Sequence, residues 1–111
     1  MSHSQPVVIL TQKDQGKVIP LPIGQLFSIQ LIENPTTGYR WTACNISGVH
    51  LLTETFQSNS ISEGPIGHGG IRIFQFQAIR ADKHRLQFKH WREWQGDSSI
   101  IGTFQVYVHV M

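Results

Sequence analysis

The run Leu26-Phe27-Ser28-Ile29-Gln30-Leu31-Ile32, followed by Glu33 and then Asn34-Pro35-Thr36-Thr37-Gly38-Tyr39, decides how the chain is read. The first seven residues alternate in polarity. A period of two places Phe27, Ile29 and Leu31 on a core face, with Ser28 and Gln30 outward. A strong turn signal follows. Pro35 fixes its own φ and keeps Asn34 out of the helical region, and Gly38 can take a positive φ that other residues adopt only at a cost. A hairpin would need only two residues here. This connection is longer and offers backbone groups and two threonine hydroxyls at its tip. Taken alone, it reads equally well as an ordinary polar loop.

The alternation continues on both sides. Tyr39 to Asn45 reads as a strand with Tyr39, Trp41 and Ala43 on one face, and Trp41 in the core. Ser47-Gly48 turns the chain into a further strand, Val49 to Phe56. Ile71 to Ile79 carries Phe74, Phe76 and Ala78 inward, and Arg85 to Lys89 carries Leu86 and Phe88. Ile100 to Val110 closes the chain with Phe104, Val106, Val108 and Val110 on one face. Upstream, Pro6 to Thr11 is β-rich. The prolines of Val18 to Pro22 confine that run to an edge or irregular strand. Lys13 to Lys17 and Arg80 to Lys83 read as turns. No segment holds a helical period over three turns. A chain of 111 residues with 40% apolar and only 14% charged residues, ten glycines and five prolines fits one all-β domain spanning residues 1–111. The expected fold is an immunoglobulin-like antiparallel β-sandwich of about seven to eight strands, without the cysteine pair of antibody domains.

Composition narrows the function. A formal net charge of +2, with basic residues scattered along the chain and Lys83, His84 and Arg85 the nearest thing to a cluster, argues against a nucleic-acid partner. The single cysteine, Cys44, excludes an intrachain disulfide, and its apolar surroundings predict a small core residue. The six histidines show no metal-ligand spacing, and paired carboxylates are scarce; Glu63 and Glu93 are the pair that could meet. No metal, cofactor or catalytic set is therefore expected, and the chain does not read as an enzyme. The N-terminus lacks a leader pattern and no run reaches membrane-spanning length, so the expected location is cytoplasmic or vesicular, or periplasmic or secreted if a leader has been removed. Asn45-Ile46-Ser47 fits a glycosylation acceptor pattern, which as a short match is weak.

Three stretches break the strand pattern: residues 34–39, 57–70 and 90–99. If consecutive strands alternate in direction, all three connections emerge at one end of the sandwich, as the binding loops of antibody domains do. Their chemistry suits a contact surface. Trp94, Trp91 and Arg92 fall outside the core alternation, in a loop expected to be exposed, and Trp and Arg are enriched in interface hot spots. Gly67, Gly69 and Gly70 strip side chains from the middle loop and permit close backbone approach. A phosphate cradle would need a following helix, whereas Ile71 starts a strand.

With these three loops the chain resembles the chagasin-type inhibitors of cysteine peptidases. Asn34-Pro35-Thr36-Thr37-Gly38-Tyr39, with Trp41 two residues on, matches the first signature of that family. Gly67-His68-Gly69-Gly70, preceded by Ile66, matches the second. Arg92-Glu93-Trp94 matches the third, Arg-Pro-Trp, with Glu93 where proline is usual. The resemblance implies a monomeric, reversible, non-covalent inhibitor of papain-family peptidases of the cathepsin type, with no nucleic-acid or membrane partner. It implies that Thr36-Thr37 enters the active-site cleft, with Asn34, Pro35 and Gly38 holding the shape and Tyr39 counted with them among the peptidase-binding residues. Ile66, Gly67, His68, Gly69 and Gly70 would line the non-primed side, Arg92 and Trp94 would pack on the primed side, and Trp91 is expected among the peptidase-binding residues. His68 and His90 would lend pH sensitivity. A different class uses the same edge: an immunoglobulin-like adhesion or carbohydrate-binding module would also expose tryptophan, but a sugar site does not require the first and second loops together.

Overall fold

Eight strands form in the computed structural model, which describes residues 6–58 and 69–111. They are β1 (Val8–Thr11), β2 (Val18–Leu21), β3 (Leu26–Glu33), β4 (Arg40–Ile46), β5 (Val49–Ser58), β6 (Gly70–Ala78), β7 (Asp82–Trp91) and β8 (Gly102–Val110). One sheet has the order β1-β3-β6-β5 and the other β2-β8-β7-β4. Four of the six pairings are antiparallel, and two edge pairings, β1 on β3 and β2 on β8, are parallel. The prolines of the second run are tolerated because β2 is an edge strand, with a partner on one side only.

The core follows the sequence alternation. Phe27, Ile29 and Leu31 of β3, Phe74, Phe76 and Ala78 of β6, Leu86 and Phe88 of β7, and Phe104, Val106, Val108 and Val110 of β8 are buried. Phe27 stacks on Phe76 within its sheet at 5.2 Å between ring centres. Phe74 meets Phe88 of the other sheet at 4.9 Å, so the aromatic cluster joins the two layers. Full burial of each such ring is worth about 1.5–3 kcal/mol.

Four local expectations change. Cys44 is exposed rather than in the core. It follows Ala43, which packs on the core, so the strand's own alternation already turns it outward; the bulge between Ala43 and Asn45 makes it the extra residue opposite β7. Ser28 is buried although it faces outward. It lies in an inner strand between Ile9 and Gln75, and Gln30 Nε2 folds over it at 3.3 Å from its hydroxyl. β7 runs from Asp82 to Trp91, longer at both ends than the polar pattern suggests, because β4 and β8 hydrogen-bond its backbone throughout. His90 and Trp91 therefore belong to a strand and not to a loop. β5 likewise extends to Ser58, opposite Gly70.

The strand ends fix the binding edge. Glu33 at the end of β3 pairs with Gly70 at the start of β6, which also pairs with Ser58 at the end of β5. Arg40 at the start of β4 pairs with Trp91 at the end of β7, and Gly102 at the start of β8 pairs with His90. The 34–39, 59–69 and 92–101 connections thus leave the sandwich at one end.

Candidate functional site

The first loop is a single 3-10 turn, Pro35–Thr37. Proline suits its first position because its φ is preset and its missing N–H is not needed there. Asn34 caps it. Its Oδ1 accepts from the Thr36 N–H at 3.1 Å and from the Thr36 hydroxyl at 2.7 Å. The Asn34 carbonyl accepts from the Thr37 hydroxyl at 2.9 Å, and the Gly38 N–H donates to the Pro35 carbonyl at 3.1 Å. Gly38 ends the turn at φ +81°. Both threonine protons are therefore committed inside the turn. The exposed tip presents methyl groups, hydroxyl lone pairs and backbone, in a shape fixed before any partner arrives.

The third loop contains two short 3-10 turns, Glu93–Gln95 and Asp97–Ser99. Glu93 takes the first position of its turn, the place where proline would be preorganised. Ser99 supplies part of the missing restraint: its hydroxyl accepts from the Arg92 N–H at 2.9 Å and lies 2.7 Å from the Gly96 carbonyl. Arg92 then reaches across to the first loop. Its Nε and Nη2 both donate to the Thr37 carbonyl, at 3.1 and 2.9 Å. The same guanidinium lies over the Tyr39 ring, 4.3 Å from its centre, a cation–π contact. The Trp94 indole edge rests on Gly38, and a Cβ there would come within 2.8 Å of it. Trp94 is nonetheless 71% exposed. The two loops form one ridge with Thr36, Thr37 and Trp94 along its crest.

Beneath the ridge lies a polar floor that the sequence reading missed. Glu33 is 1% exposed. It binds Arg72 of β6 in a two-pronged ion pair, with Nη2 to Oε2 at 2.6 Å and Nε to Oε1 at 3.2 Å. Glu33 Oε1 also accepts from the Trp41 N–H at 2.8 Å. The Trp41 indole N–H donates to the Ile32 carbonyl at 2.9 Å, fastening the two ends of the loop. Arg72 in turn approaches Glu54 of β5 at 3.6 Å and lies over Phe56. One buried carboxylate thus ties β3, β4 and β6 at the loop roots. The available signal was parity: Glu33 and Arg72 both occupy inward positions of otherwise apolar alternating strands.

His90 stacks on Trp41 at 4.6 Å and meets the Tyr39 ring edge-on at 5.9 Å. Its Nε2 is buried without a hydrogen-bond partner. Burial lowers its pKa, against the opposing pull of the Glu33 carboxylate and a hydrogen bond to the Tyr39 backbone. The ring under the ridge is neutral over a wider acid range than a free histidine.

Of the residues expected at the site, Asn34, Pro35, Thr36, Thr37, Gly38, Tyr39, Arg92 and Trp94 are brought together. Gly69 and Gly70 adjoin them: a Cβ on Gly69 would stand 2.7 Å from the Glu33 carbonyl, so only glycine lets this strand entry pass so close to the first loop. Ile66, Gly67 and His68 lie outside the described residues, as does Glu63. Trp91 is not part of the ridge. It lies on the outer face of its sheet, its indole N–H donates to Thr42 Oγ1 at 3.0 Å, and Lys89 Nζ sits 3.5 Å from its ring centre. Between the two loops, Pro35, Gly38, Tyr39, Arg40, Glu93 and Trp94 surround a cleft of about 270 Å³ floored by Glu33 and Arg72. Among the described residues no group of His, Cys, Asp and Glu is placed to hold a metal.

This geometry has relatives. The family model of the chagasin family peptidase inhibitors, I42, matches residues 20–108. Chagasin from Trypanosoma cruzi is 29% identical over 115 aligned positions, covering 97% of each chain. The crystal structure of the cysteine protease inhibitor EhICP2 from Entamoeba histolytica superposes with a TM-score of 0.85 at 23% identity, over 95% of this chain and 96% of that one. The inhibitor PbICP-C, solved in complex with falcipain-2, shares the fold with a TM-score of 0.58 at 19% identity, over 100% of this chain and 94% of that one.

Proposed function

The chain belongs to the chagasin family of peptidase inhibitors, and from that premise we propose how its loop ridge blocks a papain-type cysteine peptidase. The protein is an inhibitor of cysteine peptidases and not an enzyme. The Pro35–Thr37 turn enters the active-site cleft and sits against the catalytic thiol and imidazole. A peptidase cleaves a chain that it holds extended across its nucleophile. Here the tip is a capped 3-10 turn whose backbone N–H groups and threonine protons are already bonded within the loop. It fills the cleft without offering a peptide in cleavable register, so the complex is non-covalent and reversible. Trp94 packs on the primed side as an exposed aromatic anchor.

The observation that carries this mechanism is the double hydrogen bond from Arg92 to the Thr37 carbonyl. It joins the first and third loops into one prearranged surface, so less ordering entropy opposes binding. An interface of standard size, about 1,600 Å² in total, can then be very tight.

The test is titration of papain or a cathepsin against a fluorogenic substrate. Inhibition should be competitive, reversible on dilution and stoichiometric at high enzyme concentration. A folded sample that leaves the enzyme fully active at micromolar concentration overturns the proposal.

A further inference from the structure

The nine lysines and arginines are dispersed along the chain, but the sheet register gathers four of them. Alternation turns the odd-numbered residues of β7 outward, because His84, Leu86 and Phe88 are buried. Lys83, Arg85 and Lys89 therefore share the outer face of the β4–β7–β8 sheet, and Arg40 joins them opposite Trp91. His109 lies beside Lys83, and Tyr107 beside Arg85. The outward positions of these three strands hold glutamine, asparagine, threonine and aromatic residues between the cations, and no carboxylate. The outward positions of β3 and β6, on the opposite sheet, carry no charge. Three carboxylates are paired elsewhere, Glu33 and Glu54 with Arg72 and Asp14 with Lys17, while Asp82 opens β7 beside Lys83 at a position of inward parity, its Oδ1 taken by the Lys83 N–H. Among the described residues Asp97 reaches this face from a loop, 3.1 Å from Lys89 Nζ. A small net charge thus conceals a one-sided positive surface.

We propose that this face binds a linear sulfated polysaccharide. Alternate residues of a strand stand about 6.7 Å apart, so the stripe from Lys83 to Lys89 runs about 20 Å along one strand. It is flat, narrow, and interleaved with amide and hydroxyl groups from Gln87, Gln105, Thr42 and Thr103. That matches one extended chain carrying both sulfates and hydroxyls. Nucleic acid fits less well. No element projects from the face to enter a groove. The two aromatic rings are each covered by a lysine, Trp91 by Lys89 and Tyr107 by Lys83, leaving no open platform for base stacking. Nor does a peptidase held at the loop ridge reach Lys83, which lies at the far end of β7. The Lys83–Arg85 end of the face thus lies clear of the ridge, so polysaccharide held there would anchor the inhibitor on a sulfated matrix while its loops stay free.

The probe is a size-defined heparin oligosaccharide, with affinity measured calorimetrically across a salt series. Lys83→Gln/Arg85→Gln should lower the slope of log K against log salt by about 2, one for each lost contact, while inhibition of papain stays unchanged. Amide shifts on addition of the oligosaccharide to the unaltered protein should map to residues 83–89 and 103–109. Shifts confined to the other sheet or to the loops overturn the proposal, as does an unchanged salt slope in the double variant. Equal or tighter binding of a duplex DNA of matched charge, with the same shifts, would reassign the face to nucleic acid.

Discussion

Arg92 is bonded twice to the carbonyl of Thr37, at 3.1 and 2.9 Å, across a sequence separation of 55 residues. The contact joins two exposed loops, so it has more to do with shape than with folding. Arg92→Lys keeps the charge but cannot place two parallel N–H groups on one oxygen while stacking flat on Tyr39. The inhibition constant should rise about tenfold, equivalent to about 1.4 kcal/mol. The unfolding midpoint in urea should barely move, since a surface substitution is usually worth less than about 0.5 kcal/mol.

Trp94 rests one edge on Gly38 and leaves the rest of its ring to solvent. An exposed aromatic beside a rigid turn is positioned as an anchor. Trp94→Ala should weaken binding by at least about 2 kcal/mol, roughly 30-fold. An unchanged inhibition constant would show the third loop to be idle.

Gly38 serves two needs at once, a positive φ and room for the indole. Gly38→Ala should cost about 1–2 kcal/mol of stability through left-handed backbone strain. It should also displace Trp94 and so weaken inhibition. Denaturation and inhibition measured on the same sample separate the two effects.

The Glu33–Arg72 pair is buried, and removing one partner strands the other. Glu33→Gln should destabilise the fold by about 3 kcal/mol. Glu33→Gln/Arg72→Met removes both charges and should recover part of that loss. A double variant no more stable than the single one would show that the pair holds the loop roots by hydrogen-bond geometry rather than by charge compensation.

His90 sets a pH dependence whose sign follows from its burial. Its folded-state pKa lies below the ordinary 6.5. Between the two values the unfolded chain binds the extra proton, so stability rises with pH there. The contribution is complete above about 6.5 and is lost as pH falls through the folded-state value. His90→Phe keeps the aromatic stack on Trp41 without a titrating group. It should flatten the acid limb of a stability–pH curve, and an unaltered limb would place the titration elsewhere.

The legibility of this molecule follows the range of the forces involved. The turn at Asn34–Gly38 was readable because its cap, its proline and its positive-φ glycine are local requirements of one short segment. The core was readable because alternation is local too. Cys44 is exposed because it follows the inward Ala43: parity, not the apolar character of its run, decides its face. The strand character of His90 and Trp91 comes from the backbones of β4 and β8, which a polar side-chain pattern does not reveal. The Arg92–Thr37 bond and the Glu33–Arg72 pair join residues far apart in sequence. Their positions were predictable from parity and loop placement, but not their partnership. Lys83 and Arg85 are neighbours in the sequence, but only the register of β4 on β7 brings Arg40 to the same face, beside Trp91.

The most direct test of the central claim compares one papain-type peptidase in two states. In the first its cleft is open, with the catalytic cysteine protected only by a small reversible thiol cap removed before mixing. In the second the cleft is filled by a covalent peptidyl inhibitor. Calorimetric titration should give tight one-to-one binding to the open enzyme and no measurable binding to the filled one. Equal binding to both would place the contact outside the cleft and contradict the account.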